Sequence, residues 1–267
     1  MRARKFYQAL EQRIPAGLSC AWDHDGIACL PNPDTEIRTV LVTLDITDAA
    51  IDTALSVGAQ VILSHHPLLF HPLDALDADN ATARKLLRLV RADLAAFSFH
   101  TRLDALPGGV NDTLAAALGV SDCLPFGENA MGRIGNLPQK EPFSCFLQRV
   151  QNALGVPSVA FLQEKAEVQR IALLGGSGKD FLKDALRMGA DVFLTGELGH
   201  HAFTDAIGGN LNLVEAGHFY TEQPVCEMLL SLIHAIDDTI QVQIHRQYAV
   251  KTETFHIQEA TFDYSVR

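Results

Sequence analysis

Val57-Gly58-Ala59-Gln60-Val61-Ile62-Leu63-Ser64-His65-His66-Pro67 is the stretch on which the fold turns. Its apolar run reads as a buried strand, and Pro67 stops it. Two adjacent imidazoles at the end of a buried strand are costly, because each ring nitrogen needs a partner once it leaves water. On an extended segment neighbouring side chains point to opposite faces, so the two rings suit a pair of adjacent metal ions better than one ion. The alternative is one core histidine bonded to backbone beside one exposed histidine.

Upstream, residues 3–13 read as an amphipathic helix and residues 22–27 as a polar turn. A β-branched strand over 40–44 is followed by a helix over 48–57, with Thr47 or Asp48 as its N-cap. The β-α-β order implies a parallel pair with ligands at the carboxyl ends of its strands. Downstream come a helix over 81–92 and a strand over 94–99 that runs into His100-Thr101-Arg102-Leu103-Asp104. A Pro107-Gly108-Gly109 turn and a helix over 111–118 complete this part. Residues 127–142, rich in Gly and Pro, read as a linker.

Past it the pattern returns: a helix over 143–154, strands over 156–161 and 168–174, a glycine turn over 175–178, a helix over 179–188 and a strand over 191–194. Ala54-Leu55-x-x-Gly58-Ala59-x-Val61-x-Leu63-Ser64 recurs as Ala185-Leu186-x-x-Gly189-Ala190-x-Val192-x-Leu194-Thr195, displaced by 131 residues (186 − 55 and 194 − 63). A duplicated α/β unit follows, with residues 1–126 and 127–267 as its two copies. After a strand over 211–214, His218-x-x-x-Glu222 repeats the His100-x-x-x-Asp104 pattern at a displacement of 118 (218 − 100).

Hydrophobic content of 48% and charged content of 20% are those of an ordinary soluble globular protein. A net charge of −11 argues against a phosphate-tracking surface, so no nucleic-acid partner is expected, while an anionic small substrate stays compatible with local metal charge. Cys20, Cys29, Cys123, Cys145 and Cys226 are scattered without C-x-x-C spacing, which suits a reducing cytoplasm and buried thiols. The basic start Met1-Arg2-Ala3-Arg4-Lys5 lacks the apolar core of a signal peptide, and no apolar run is long enough for a membrane span.

His65, His66, Asp104, His218 and Glu222, with His100 as a further candidate, form a nitrogen and oxygen donor set. It suits two divalent ions such as zinc, iron, manganese or cobalt, and open positions on such ions serve hydrolysis. Glu197 and His201 follow the strand equivalent to the one bearing the double histidine. They are candidates for general acid–base work or for holding a ligand; a surface glutamate and a loop histidine are the alternative. Gly175-Gly176-Ser177-Gly178-Lys179 fails the Walker spacing, with Leu173 and Asp180 at the deciding positions, and reads as a tight turn. His24, His71, His200, His234, His245 and His256 read as structural or exposed, and Trp22 as a core or pocket-wall aromatic.

Six motifs in this order resemble the GTP cyclohydrolase I type 2 homologues, also called Ngg-interacting-factor-like proteins: Ser64-His65-His66-Pro67-Leu68, His100-Thr101-x-x-Asp104, Pro107-Gly108-Gly109-Val110-Asn111-Asp112, Gly175-Gly176-Ser177-Gly178, Thr195-Gly196-Glu197 and Gly217-His218-x-x-Thr221-Glu222. The resemblance spans nearly the whole chain. It implies a duplicated α/β fold with intertwined halves and a C-terminal segment packed on the first unit, mixed sheets, a dinuclear metal site between the halves and a ring-shaped homo-oligomer, often a hexamer. It places His65 and Asp104 on one ion, His66 and His218 on the other and Glu222 between them, and it makes His201 a candidate for pocket chemistry. The function it implies is metal-dependent hydrolysis, with GTP or another nucleotide as substrate. The rival is a metal-binding, metal-delivery or regulatory protein without turnover. Where the family shows Trp-Asp-Asn-x-Gly-Leu, this chain has Trp22-Asp23-His24-Asp25-Gly26-Ile27, and the large insertion some members carry between the halves is absent.

Overall fold

Parallel strands whose two faces are both apolar need helices on each side. The computed structural model, which describes residues 1–246, shows two sheets of this kind. The chain opens with α1 (Ala3–Arg13), β1 (Gly26–Cys29) and β2 (Thr39–Thr43), then α2 (Asp48–Ser56), β3 (Val61–Ser64), α3 (Ala81–Arg91) and β4 (Ala95–Ser98). Two short helices, α4 (Thr101–Ala105) and α5 (Val110–Ala117), lead to β5 (Ser121–Phe126), β6 (Gly132–Pro142), α6 (Phe143–Leu154), β7 (Ala160–Leu162) and β8 (Glu167–Ser177). The remainder is α7 (Leu182–Arg187), β9 (Val192–Glu197), α8 (His200–Ala206), β10 (Asn212–Glu215), α9 (His218–Glu222), α10 (Val225–Ile236) and β11 (Gln241–His245).

The first sheet runs β1-β4-β3-β2-β11 and the second β5-β6-β8-β9-β10-β7. Both are mixed. In the first, β1 is antiparallel to β4 and the remaining pairs are parallel. In the second, β8, β9 and β10 are parallel, flanked by antiparallel strands. The duplication is visible in the register. Val40 pairs with Val61 in the first sheet and Ile171 with Val192 in the second, each displaced by 131 (171 − 40 and 192 − 61).

Strand alternation sorts the core into layers. Val40, Val42, Val61 and Leu63 face α1 and α10, whereas Leu41 and Ile62 face α2 and α3. In the second sheet Ile171, Leu173, Val192 and Leu194 pack with α5 and α6, and Ala172 and Phe193 with residues of α7 and α8. Thr47 caps α2, its hydroxyl accepting from Ala50 N–H.

Several expectations need correction. Residues 127–142 are no linker: Gly132–Pro142 is a strand of 11 residues paired on both sides. Its Gly132 serves packing, because a Cβ there would come within 2.5 Å of the Phe126 ring. In the sheets themselves, β5 belongs to the second and β11 to the first. The thiols are not uniformly buried; Cys20, Cys29 and Cys226 are, Cys123 is half-buried and Cys145 is exposed. No helix among the described residues is long and apolar enough to cross a membrane.

Candidate metal centre

The carboxyl ends of parallel strands collect the functional side chains, as the β-α-β order requires. His65 and His66 follow β3 directly, and the short helices α4 and α9, which follow β4 and β10, carry Asp104, His218 and Glu222. Three groups of side chains there hold their donor atoms within 4.8 Å of one another: His65, His66 and His100; His66, His218 and Glu222; His65, Asp104 and Glu222. The structure thus brings together all six residues read as candidate ligands.

The rings share one arrangement. His65 Nδ1 donates to the Phe99 carbonyl at 3.0 Å, a partner that only accepts, which leaves Nε2 with its lone pair. His66 Nδ1 lies 2.9 Å from Asp45 Oδ1, His100 Nδ1 3.1 Å from Asp23 Oδ1 and His218 Nδ1 3.1 Å from Glu197 Oε1. Each imidazole is therefore anchored outward through Nδ1. This is the outer support that metal-binding histidines use to fix tautomer and orientation.

Inward, polar atoms crowd one another, and some are left unpaired. His65 Nε2 is 3.6 Å from Asp104 Oδ1 and 3.7 Å from Glu222 Oε1, and His66 Nε2 is 3.3 Å from His218 Nε2. Glu222 Oε2 lies 2.9 Å from His66 Nε2 and 3.1 Å from His218 Nε2. Yet His65 Nε2, Asp104 Oδ1 and Glu222 Oε2 are buried without a partner in hydrogen-bond geometry. Buried lone pairs converging on one another are unfavourable unless a cation lies between them. The donors present therefore fit a divalent metal, and the nitrogen and oxygen mixture suits zinc, iron, manganese or cobalt.

Electrostatics separate the two carboxylates. Burial and the neighbouring Glu222 charge push Asp104 well above the usual carboxylate range. Glu222 is buried too, but the His66 charge and the His218 hydrogen bond outweigh desolvation and hold it well below that range. Burial alone would lower His66; the Glu222 charge and the Asp45 hydrogen bond reverse this and raise it to about 10. These are the metal-free tendencies of a cluster in which protons stand where cations would.

Three supporting carboxylates escape a reading of the sequence: Asp23, Asp25 and Asp45. Asp23 accepts from Thr101 N–H at 3.0 Å and from its hydroxyl, while Asp25 accepts from His100 N–H at 2.9 Å and from Arg102 Nε at 2.8 Å. Asp45 sits just past β2, at the same strand-end level as the double histidine, and that position is the signal that points to it. The two His-x-x-x-acid motifs are also not equivalent. Val61 pairs with Ala95 and Val192 with Asn212, a displacement of 117 (212 − 95), so Gly217, not His218, matches His100. Accordingly His100 and Gly217 are the N-caps, and His218 opens α9 where Thr101 opens α4.

Glu197 reaches the cluster only through His218. His201 does not reach it: Gly199, at φ +77°, turns the chain so that His200 and His201 line a separate cavity of about 630 Å³ with Lys179, Lys183 and Leu198. His24, His71, His200 and His234 are exposed, and His245 Nδ1 lies 3.1 Å from Thr53 Oγ1; His256 lies outside the described residues. The candidate cluster opens instead into a pocket of about 370 Å³ bounded by Asp45, His66, Pro67, Phe70, His100, His218 and Phe219. Trp22 is no core residue: it is 54% exposed, with its ring 6.1 Å from Phe70 and 6.2 Å from His100, two residues that bound this pocket.

Fold and site together define a duplicated α/β protein whose two halves jointly build a candidate metal cluster at their strand ends. The family model Duf34/NIF3 (NGG1p interacting factor 3) matches residues 1–252, and the chain belongs to this family. It is 32% identical over 232 residues to a GTP cyclohydrolase 1 type 2 homolog of Clostridium perfringens, covering 84% of this chain and 88% of that protein. To the Lactococcus lactis protein of the same name it is 30% identical over 261 residues, covering 96% and 99%. Among solved structures, a Staphylococcus aureus protein superposes with a TM-score of 0.87 at 25% identity over 96% of this chain and 99% of that one. Reduced HcgD from Methanocaldococcus jannaschii superposes with a TM-score of 0.80 at 26% identity over 93% and 98%.

Proposed function

We propose that this chain holds two divalent cations side by side, with Glu222 between them, and hydrolyses a small nucleotide-like molecule in the pocket above. The observation that carries this reading is the shared Glu222: it belongs both to the group with His65 and Asp104 and to the group with His66 and His218. Bound divalent ions would supply Lewis acidity and a water activated near neutral pH. The protein's own part is to fix the donors. Asp45, Asp23, Glu197 and the Phe99 carbonyl orient the rings, and Pro67, Phe70 and Phe219 form the apolar part of the pocket wall beside them. The nucleotide is supported by the name that the relatives carry. A ring-shaped homohexamer in the cytoplasm belongs to the same reading, and light scattering tests its size.

A second reading, metal delivery or regulation without turnover, is favoured by one observation. Glu197 Oε1 is engaged with His218 and His201 lines another cavity, so neither offers a free acid–base group to the pocket. The test is anaerobic purification with elemental analysis, followed by a hydrolysis screen on GTP, other nucleotides and phosphoesters. About two metal equivalents per chain, with hydrolysis lost in His66→Ala, are expected. Metal without any turnover selects the second reading. No metal after loading removes both.

A further inference from the structure

The pocket's floor and its mouth differ in chemistry. Imidazoles and Asp45 form the floor, but at the mouth Trp22 and Phe70 are 54% and 48% exposed, and Trp22 is the sole tryptophan of the chain. Their ring centroids are 6.1 Å apart at 55°, and Trp22 meets the His100 ring at 6.2 Å and 76°. Phe70 lies 6.1 Å from the same imidazole. Two large apolar rings left in water beside a polar cluster form an open corner: a flat ligand can lie against one ring face and meet the edge of the other. Phe70 belongs to the segment between β3 and α3, where residues 65–80 have no helix or strand, the type of long connection that tends to carry binding function.

We propose that Trp22 and Phe70 form a ring-binding subsite that seats the planar aromatic part of a ligand at the pocket mouth, with its polar part turned toward His66, His100 and His218. The proposal deepens the hydrolase reading, on which it rests for the ligand's direction, by assigning the residues that select the ligand. Aromatic corners also hold cations. With divalent ions held by the donors beside it, a cation there would meet like charge, so a neutral or anionic ring is the occupant that the electrostatics favour.

The test uses the full-length metal-loaded protein and reads binding, not turnover. Guanosine 5′-monophosphate is expected to quench Trp22 fluorescence saturably, whereas ribose 5-phosphate, which lacks the ring, and tetramethylammonium leave it unchanged. In equilibrium dialysis, Trp22→Ala and Phe70→Ala weaken nucleotide binding by about tenfold each, while Trp22→Phe keeps most of it. Metal content is unchanged in all three variants. Ribose 5-phosphate or tetramethylammonium binding as tightly as the nucleotide overturns the subsite. So does unchanged affinity in both alanine variants, or a shift of oligomeric state in place of weaker binding, which would make the corner a contact between copies. Ring-dependent binding without hydrolysis leaves the subsite standing and removes only the hydrolase reading.

Discussion

The two halves bring matching strands to the cluster and place opposite things at their ends. In the first half Asp45, His65 and His66 stand past β2 and β3; positions displaced by 131 in the second half hold Gly176, Gly196 and Glu197. Those glycines are occupied space in reverse. A Cβ on Gly176, which sits at φ +68°, would collide with Glu222 Oε1, and one on Gly196 would lie 2.6 Å from Gly176 O and 2.7 Å from His218 Cα. The first half thus supplies rings from its strand ends. The second supplies room there and sends its ligands, His218 and Glu222, from the helix after the next strand. Duplication gave two equivalent scaffolds, and a shared site needed one of them to be hollowed.

The difference between the halves rests most heavily on the hollow. Gly196→Val is expected to cost about 3 kcal/mol or more, because the neighbours it meets are backbone and cannot step aside. Urea denaturation measures this, and a variant within about 1 kcal/mol of the parent would show that the glycine's smallness is incidental. The next effect is on metal content. Glu222→Gln should lose both ions, since both groups share that carboxylate, whereas Asp104→Asn should lose about one of two. Equal losses in elemental analysis would erase the distinction between the two acids.

A smaller effect sharpens the likeness between halves. Asp45→Asn and Glu197→Gln remove the outer carboxylates of His66 and His218, and each should weaken metal binding about 10–100-fold in chelator competition. The smallest concerns pH. His66, raised to about 10 in the metal-free cluster, is protonated at neutral pH, and a cation must displace that proton. Affinity should therefore fall as pH falls, by about tenfold per unit for one proton released. Calorimetry in buffers of different ionisation enthalpy counts the proton; none released would place the cation away from His66.

The repeat was legible because helix–strand spacing and apolar alternation survive duplication, and the register bears out the displacement of 131 residues. The clustering of the six candidate ligands was legible because buried imidazoles and carboxylates are rare enough to point at one another. Other features were hidden by chemistry that looks ordinary in a sequence. β6 resembles a linker because Gly132, Gly135, Pro138 and Pro142 are turn residues by composition, yet its glycines make space for Phe126 and Val120. Asp23 and Asp25 look like turn residues, and only the third dimension sets them against His100 and Arg102. The His-x-x-x-acid likeness misled by one position, since side-chain identity was matched where strand register differs.

β11 has a consequence for synthesis. Its Gln241 pairs with Thr39 and its His245 with Thr43, so the edge of β2, with Val40, Leu41 and Val42 fully buried in the finished protein, is covered by almost the last described residues. On the ribosome the first sheet must wait, with an open β-edge, while the whole second sheet is made. Loop closure over that span makes this pairing a late and slow event in folding. A nascent chain halted after β10 would therefore carry most of the candidate ligands and still be a client for chaperones, stalled one strand short of closure.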